Sequence, residues 1–164
     1  MVIAKTNYFG EIVANENDDD IEFVTKINVT GREQDISVLL KIEEISQVID
    51  VCVDILNDYM EIFEIGKKIL KTEYYRNNDM ILFFNGLLEK YGEAKIVKLF
   101  GNKNITGKKI NDFIEKLDGP DITIEVSKGE KNIFLVYGLS NEIDEMIVIK
   151  MNRKYEKRDI RYYD

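Results

Sequence analysis

The spacing of apolar residues changes period twice along this chain, and that change limits its folds more than any other feature. Ile21, Phe23, Thr25, Ile27 and Val29 alternate with Glu22, Val24, Lys26 and Asn28, the period of two that sends strand side chains to opposite faces. Tyr8 to Ala14 and Ile36 to Ile42 also read as strands, and Thr30-Gly31-Arg32 supplies the turn before the latter. From Glu43 the steps become three and four: Ile45, Ile49, Cys52, Leu56, Met60 and Phe63 form the stripe of an amphipathic helix. So long a helix is expected to kink or break at Asn57-Asp58 and at Gly66.

Further helices are predicted from about Asp79 through Leu88, stopped by Tyr91-Gly92, then over Ala94 to Phe100 and Lys108 to Leu117. Strands return at Ile122 to Val126, Ile133 to Leu139, Met146 to Met151 and Ile160 to Tyr163, with turns at Ser127 to Glu130 and Asn152 to Lys154. Ile133 to Tyr137 is apolar at every position, which predicts a central strand covered on both faces. Strands, then helices, then strands describe an α+β domain. The expected form is an antiparallel sheet with a central block of helices packed on one face, in the order β-β-β-α-α-α-β-β-β-β. A doubly wound parallel sheet is argued against. The 164 residues suit one domain spanning 1–164, because no Pro/Gly/Ser-rich linker and no long repeat divides them.

Composition narrows the chemistry. No histidine occurs, which removes the usual acid-base group near neutral pH, the Ser-His and Cys-His pairs and imidazole metal ligands. The single cysteine, Cys52, excludes an intrachain disulfide framework, and its place on the apolar stripe predicts an inert core thiol. The net charge of −8 disfavours a sequence-independent grip on phosphate backbones. That charge is concentrated: residues 1–60 hold 13 acidic and 4 basic side chains, residues 61–164 hold 18 and 19. Neither a signal-type nor a membrane-spanning apolar run appears, so the cytoplasm is the expected location.

Each candidate motif meets a structural counter-reading. Gly101 to Lys109 follows an apolar run as a phosphate loop would, but it has five residues between its glycines instead of four and Lys109 where Ser or Thr should hold magnesium. A Gly-capped link between helices is expected there. Asp18, Asp19 and Asp20 lack the spacing of a calcium loop and read as a solvated hairpin tip. Glu43 and Glu44 sit where negative charge meets the positive end of the helix dipole. Glu142, Asp144 and Glu145 read as an exposed loop. Lys150, Arg153, Lys154, Lys157, Arg158 and Arg161, with Tyr155, Tyr162 and Tyr163 among them, would suit single-stranded nucleic acid or a terminal hairpin whose edge is guarded by charge. No metal or cofactor is expected.

The order of these pieces is similar to a known family. Tyr8 to Ile12, Gly31 followed by Ile36 to Ile42, Leu99-Phe100-Gly101, Asp112 to Leu117 and the strand Met146 to Lys150 resemble the bacterial family called domain of unknown function 2004, across nearly the whole chain. The resemblance implies a small α+β protein without an assigned activity, in a family where some members look like immunity proteins encoded near secreted toxins. It carries over no catalytic residue. The expectation is therefore a non-enzymatic acidic binding protein, immunity-like, that meets a basic protein partner through Asp18, Asp19, Asp20, Glu43 and Glu44. No membrane is expected as a partner, nucleic acid is disfavoured, and a homo-oligomer is left open. The alternatives are a small enzyme relying on carboxylates, or nucleic-acid contact through the basic C-terminal hairpin.

Overall fold

The computed structural model describes residues 2–14, 20–29, 31–42, 52–76, 78–127 and 130–163. Two strands, β1 (Val2–Thr6) and β2 (Gly10–Ala14), form a small antiparallel hairpin. Its turn holds Tyr8 and Phe9, which the sequence placed in a strand; Gly10 at φ 69° lets the chain reverse there. Val2 to Thr6 has too short and irregular a pattern to announce itself as a strand.

The main sheet contains β3 (Asp20–Val29), β4 (Arg32–Ile42), β5 (Asp118–Ser127), β6 (Glu130–Ser140), β7 (Ile143–Asn152) and β8 (Lys157–Tyr163), side by side in that order. Neighbours run antiparallel except β4 and β5, which are parallel, Val38 standing opposite Ile122. The sheet is therefore mixed where an antiparallel one was expected. Between β4 and β5 lies the whole helical segment, and a crossover of that length can carry the chain back to the end of the sheet where β4 began.

That crossover contains α1 (Tyr59–Arg76), α2 (Asp79–Tyr91), α3 (Glu93–Phe100) and α4 (Lys109–Glu115), with residues 52–57 helical ahead of α1. The expected break falls at Asp58, and Gly92 at φ 83° separates α2 from α3. Gly66 does not interrupt α1. It is there for clearance: a Cβ on it would press into the Tyr137 hydroxyl, far inside contact distance. Of the predicted stripe, Cys52, Leu56 and Phe63 are buried and Met60 is partly so, while Ile45 and Ile49 lie outside the described residues.

One core joins helices to sheet. Ile36, Val38, Ile122, Ile124, Ile133, Leu135, Ile147 and Ile149 point inward from the strands and meet Ile62, Leu70, Phe84, Phe100 and Phe113. The last three rings touch in tilted, edge-on pairs at 5.1 to 6.3 Å, the geometry that aromatic quadrupoles favour. The β1–β2 hairpin joins through Phe9, whose ring meets Tyr59 edge-on at 5.3 Å, and through the Asn7 N–H, which donates to Asn57 at 2.7 Å. In β6, Ile133, Leu135, Tyr137 and Leu139 are buried while Asn132, Phe134 and Val136 are only partly covered. The strand is interior in the order of the sheet, but one face alone is packed, contrary to the two-sided cover that its unbroken apolar run suggested. No described helix is long and apolar enough to cross a membrane.

Candidate functional site

The helices cover one side of the main sheet, and no described element covers the other. Strand parity decides which residues lie there. Because Ile27, Ile36, Val38, Ile122 and Ile124 face the core, Glu22, Val24 and Lys26, then Glu33, Asp35, Ser37 and Leu39, then Asp121, Thr123 and Glu125 take the open face. On the other half, β6 to β8, it receives Phe134, Val136, Met146, Val148, Lys150, Asp159, Arg161 and Tyr163. Val24 is 65% exposed, Tyr163 44% and Met146 37%.

Charge divides this face. Its β3–β5 half presents Glu22, Glu33, Asp35, Asp121 and Glu125 against Lys26, which pairs with Glu33 at 3.0 Å and lies 3.9 Å from Asp35. Those two carboxylates, Glu33 first through its hydrogen bond, hold the Lys26 ammonium above its ordinary pKa. Ser37 links two of the acids: its N–H donates to Asp121 at 2.6 Å and its hydroxyl to Glu22 at 3.3 Å. Burial pushes the Asp121 carboxyl up from the usual range, the Ser37 hydrogen bond opposes this, and the charge of Glu22 adds to it.

The β6–β8 half is basic. Phe134, Val148, Lys150, Asp159, Arg161 and Tyr163 line a shallow depression of about 240 Å³, in which the Arg161 guanidinium donates to Asp159 at 2.8 Å and holds that carboxyl below its usual range. Beside the β7–β8 turn opens a groove of about 670 Å³ with Lys131, Lys150, Arg153, Lys154 and Arg158 on its walls against Glu130 and Glu156. The turn is fixed by Asn152, whose side-chain oxygen accepts from the N–H groups of Lys154 and Glu156, and by Tyr155 at φ 58°.

The buried charges serve the fold. Lys67 reaches Glu115 at 2.6 Å and lies over the Phe63 ring; Glu73 on α1 holds Lys157 of β8. Glu145, expected in an exposed loop, is an inward residue of β7 only 2% exposed, where it accepts from Lys90 and from the Tyr91 hydroxyl. Ile143, Ile147 and Ile149 share its parity, a signal in the sequence that would have placed it. Among the described residues, no group of three or more Cys, Asp and Glu side chains could hold a metal ion.

Of the expected contact residues, Asp18, Asp19, Glu43 and Glu44 lie outside the described residues. Asp20 opens β3, its backbone opposite Lys41. The Gly101 to Lys109 loop follows helix α3, not the strand a phosphate loop requires; it buries Ile105, and the Gly107 N–H donates to the Tyr74 hydroxyl. Reading by segments missed the open face, because its acidic half draws Asp121 and Glu125 from a strand some eighty residues beyond β4. The geometry offers charged and apolar contact area. Comparison with known protein families, with curated proteins and with solved structures finds no match.

Proposed function

We propose that this chain is a non-enzymatic binding protein, immunity-like in the bacterial sense, that receives a basic protein partner on the β3–β5 half of its open sheet face. The observation that carries the reading is the grouping there of Glu22, Glu33, Asp35, Asp121 and Glu125 around exposed Val24 and half-buried Leu39, with no described element over them. Carboxylates steer a basic partner and speed encounter, and the apolar residues between them give the short-range contact that steering alone does not. The excess negative charge of residues 1–60 and the resemblance to domain of unknown function 2004 agree with this reading in kind.

The test is capture of a partner from a bacterial host, followed by association kinetics. Glu22→Lys with Asp35→Lys and Glu125→Lys should slow association by about tenfold or more at low salt and remove most of its salt dependence. The same measurement with Asp18, Asp19 and Asp20 reversed to Lys reads the contribution of that segment. An on-rate indifferent to both sets and to a tenfold change in salt sinks the proposal.

A second reading, contact with an anionic strand, is favoured by the basic groove at the β7–β8 turn. It is weakened by two of the three tyrosines that should stack on bases, since Tyr155 donates to Asp58 and Tyr162 packs on Phe83 at 5.2 Å, which leaves Tyr163 exposed. Fluorescence anisotropy with single-stranded oligonucleotides decides it; no binding at moderate salt removes it.

A further inference from the structure

We infer that two copies of this chain pack through the open sheet face, related by a two-fold axis parallel to the strands, so that β3–β5 of each copy lies over β6–β8 of the other. The argument starts from the two signs on one face. Glu22, Glu33, Asp35, Asp121 and Glu125 occupy one half, while Lys150 and Arg161 occupy the other with Asp159, flanked by Arg153, Lys154 and Arg158 in the groove beside the turn. A surface that is acidic on one side and basic on the other is complementary to itself under one kind of rotation only. An in-plane axis across the strands would lay β3 over β3 and β8 over β8, like charge on like. An axis along the strands lays β3 over β8, β4 over β7 and β5 over β6, so the half that holds the five carboxylates lies over the half that holds Lys150 and Arg161.

Apolar residues fall where such a pair would close. Leu39 on β4, Phe134 and Val136 on β6 and Val148 on β7 bring apolar area to the middle of this face, beside the Asp121, Thr123 and Glu125 of β5, and exposed Val24 and Tyr163 add to it on the edge strands. Sheets with the same twist also stack face to face at a small angle, as in sandwiches. Area suffices. Six strands ~4.8 Å apart, about eight residues long at ~3.3 Å each, give a face of roughly 29 by 26 Å, hence about 1,500 Å² over two copies, within the standard range for stable interfaces.

A second copy takes the same face as the proposed basic partner, so the two compete for it, and the pairing is tested on the purified chain alone, where no partner is present. Sedimentation at concentrations up to ~100 µM, well above the micromolar affinity at the weak end for interfaces of this size, should give twice the monomer mass. Two charge variants then interrogate the geometry: Lys150→Glu with Arg161→Glu, and Glu22→Lys with Asp35→Lys. Each should dissociate at least about tenfold more readily, and an equimolar mixture of the two should associate again, because each variant's unchanged half and each reversed half then meet opposite charge. Met146→Glu, on an exposed side chain, should weaken the pair without reversing an existing charge. Thermal melting confirms that each variant folds. A monomer at every concentration overturns the inference, and so does a dimer indifferent to both charge variants, or a mixture of folded variants that stays monomeric.

Discussion

Gly66→Ala sets two well-known effects against each other, and the contact with Tyr137 decides which wins. In a helix interior, Ala in place of Gly ordinarily stabilises by about 0.5 to 1 kcal/mol. Here the new methyl would overlap the Tyr137 hydroxyl and meet Leu135 Cδ1 at 2.9 Å and Tyr137 Cζ at 3.3 Å. Carbon contacts are comfortable at ~3.5 Å or more, so the hydroxyl must retreat by roughly an ångström or more. Tyr137 is 1% exposed and held in β6 between Leu135 and Leu139, all buried, so it has nowhere to retreat. Overpacking a closed core costs about 1 to 3 kcal/mol, and a clash this deep belongs at the upper end, leaving a net destabilisation of about 2 kcal/mol.

The hydroxyl is also buried without a hydrogen-bond partner among the described residues, so Tyr137→Phe should be neutral or stabilising by about 1 kcal/mol. In that background the nearest obstacle to the new methyl is a flexible Leu135 terminus, and Gly66→Ala should become nearly neutral. Urea unfolding of the four proteins should therefore give a coupling energy of about 2 kcal/mol between the two sites. Additivity within ~0.5 kcal/mol would refute the claim that this hydroxyl is what requires glycine in α1.

Leu56, fully buried at the start of the helical block, should cost about 2 to 5 kcal/mol when cut to Ala, a loss visible as a clear fall in melting temperature. Burial pushes the Cys52 thiol up to about 12, so a thiol reagent at pH 8 should label it only at the rate of unfolding; rapid labelling of the native protein would contradict its placement. For Glu145, burial pushes the carboxyl up, but hydrogen bonds from Lys90 and Tyr91 outweigh this and hold it below its usual value. Its contribution is then present above the ordinary carboxylate pKa of ~4.3 and lost as pH falls through the lower folded value, so Glu145→Gln should flatten the acid side of a stability-against-pH curve.

Much of the fold was legible because it is written in period. The alternation of Ile21 to Val29 and the steps of the helix stripe are local properties, and Gly92 ends α2 through its own backbone freedom. What stayed hidden is non-local. That β4 lies parallel to β5 depends on where the crossover delivers the chain, which no residue of either strand records. The open face is hidden for the same reason: Phe134 looks like a core residue until β6 is known to have helices on only one side. Glu145 was misplaced for a different reason, since a carboxylate invites a surface reading even when its parity points inward. The acidic residues picked by sequence, Asp18 to Asp20 and Glu43 with Glu44, were found by their adjacency, whereas Glu22, Asp35 and Asp121 gather only across strands.

The parallel seam between β4 and β5 has a kinetic meaning. Strands β5 to β8 follow one another through short links and can assemble from neighbours in sequence, but the β3–β4 hairpin reaches its seat only through contacts such as Ser37 to Asp121, 84 residues apart. Closing so wide a ring of chain carries an entropic penalty before any contact rewards it, so docking of this hairpin should come late and govern the folding rate. Until it docks, β5 presents a bare edge to the solvent. Another molecule's β3–β4 hairpin fits that edge as well as its own does, and crowded refolding should therefore yield exchanged dimers in which the two chains have traded hairpins.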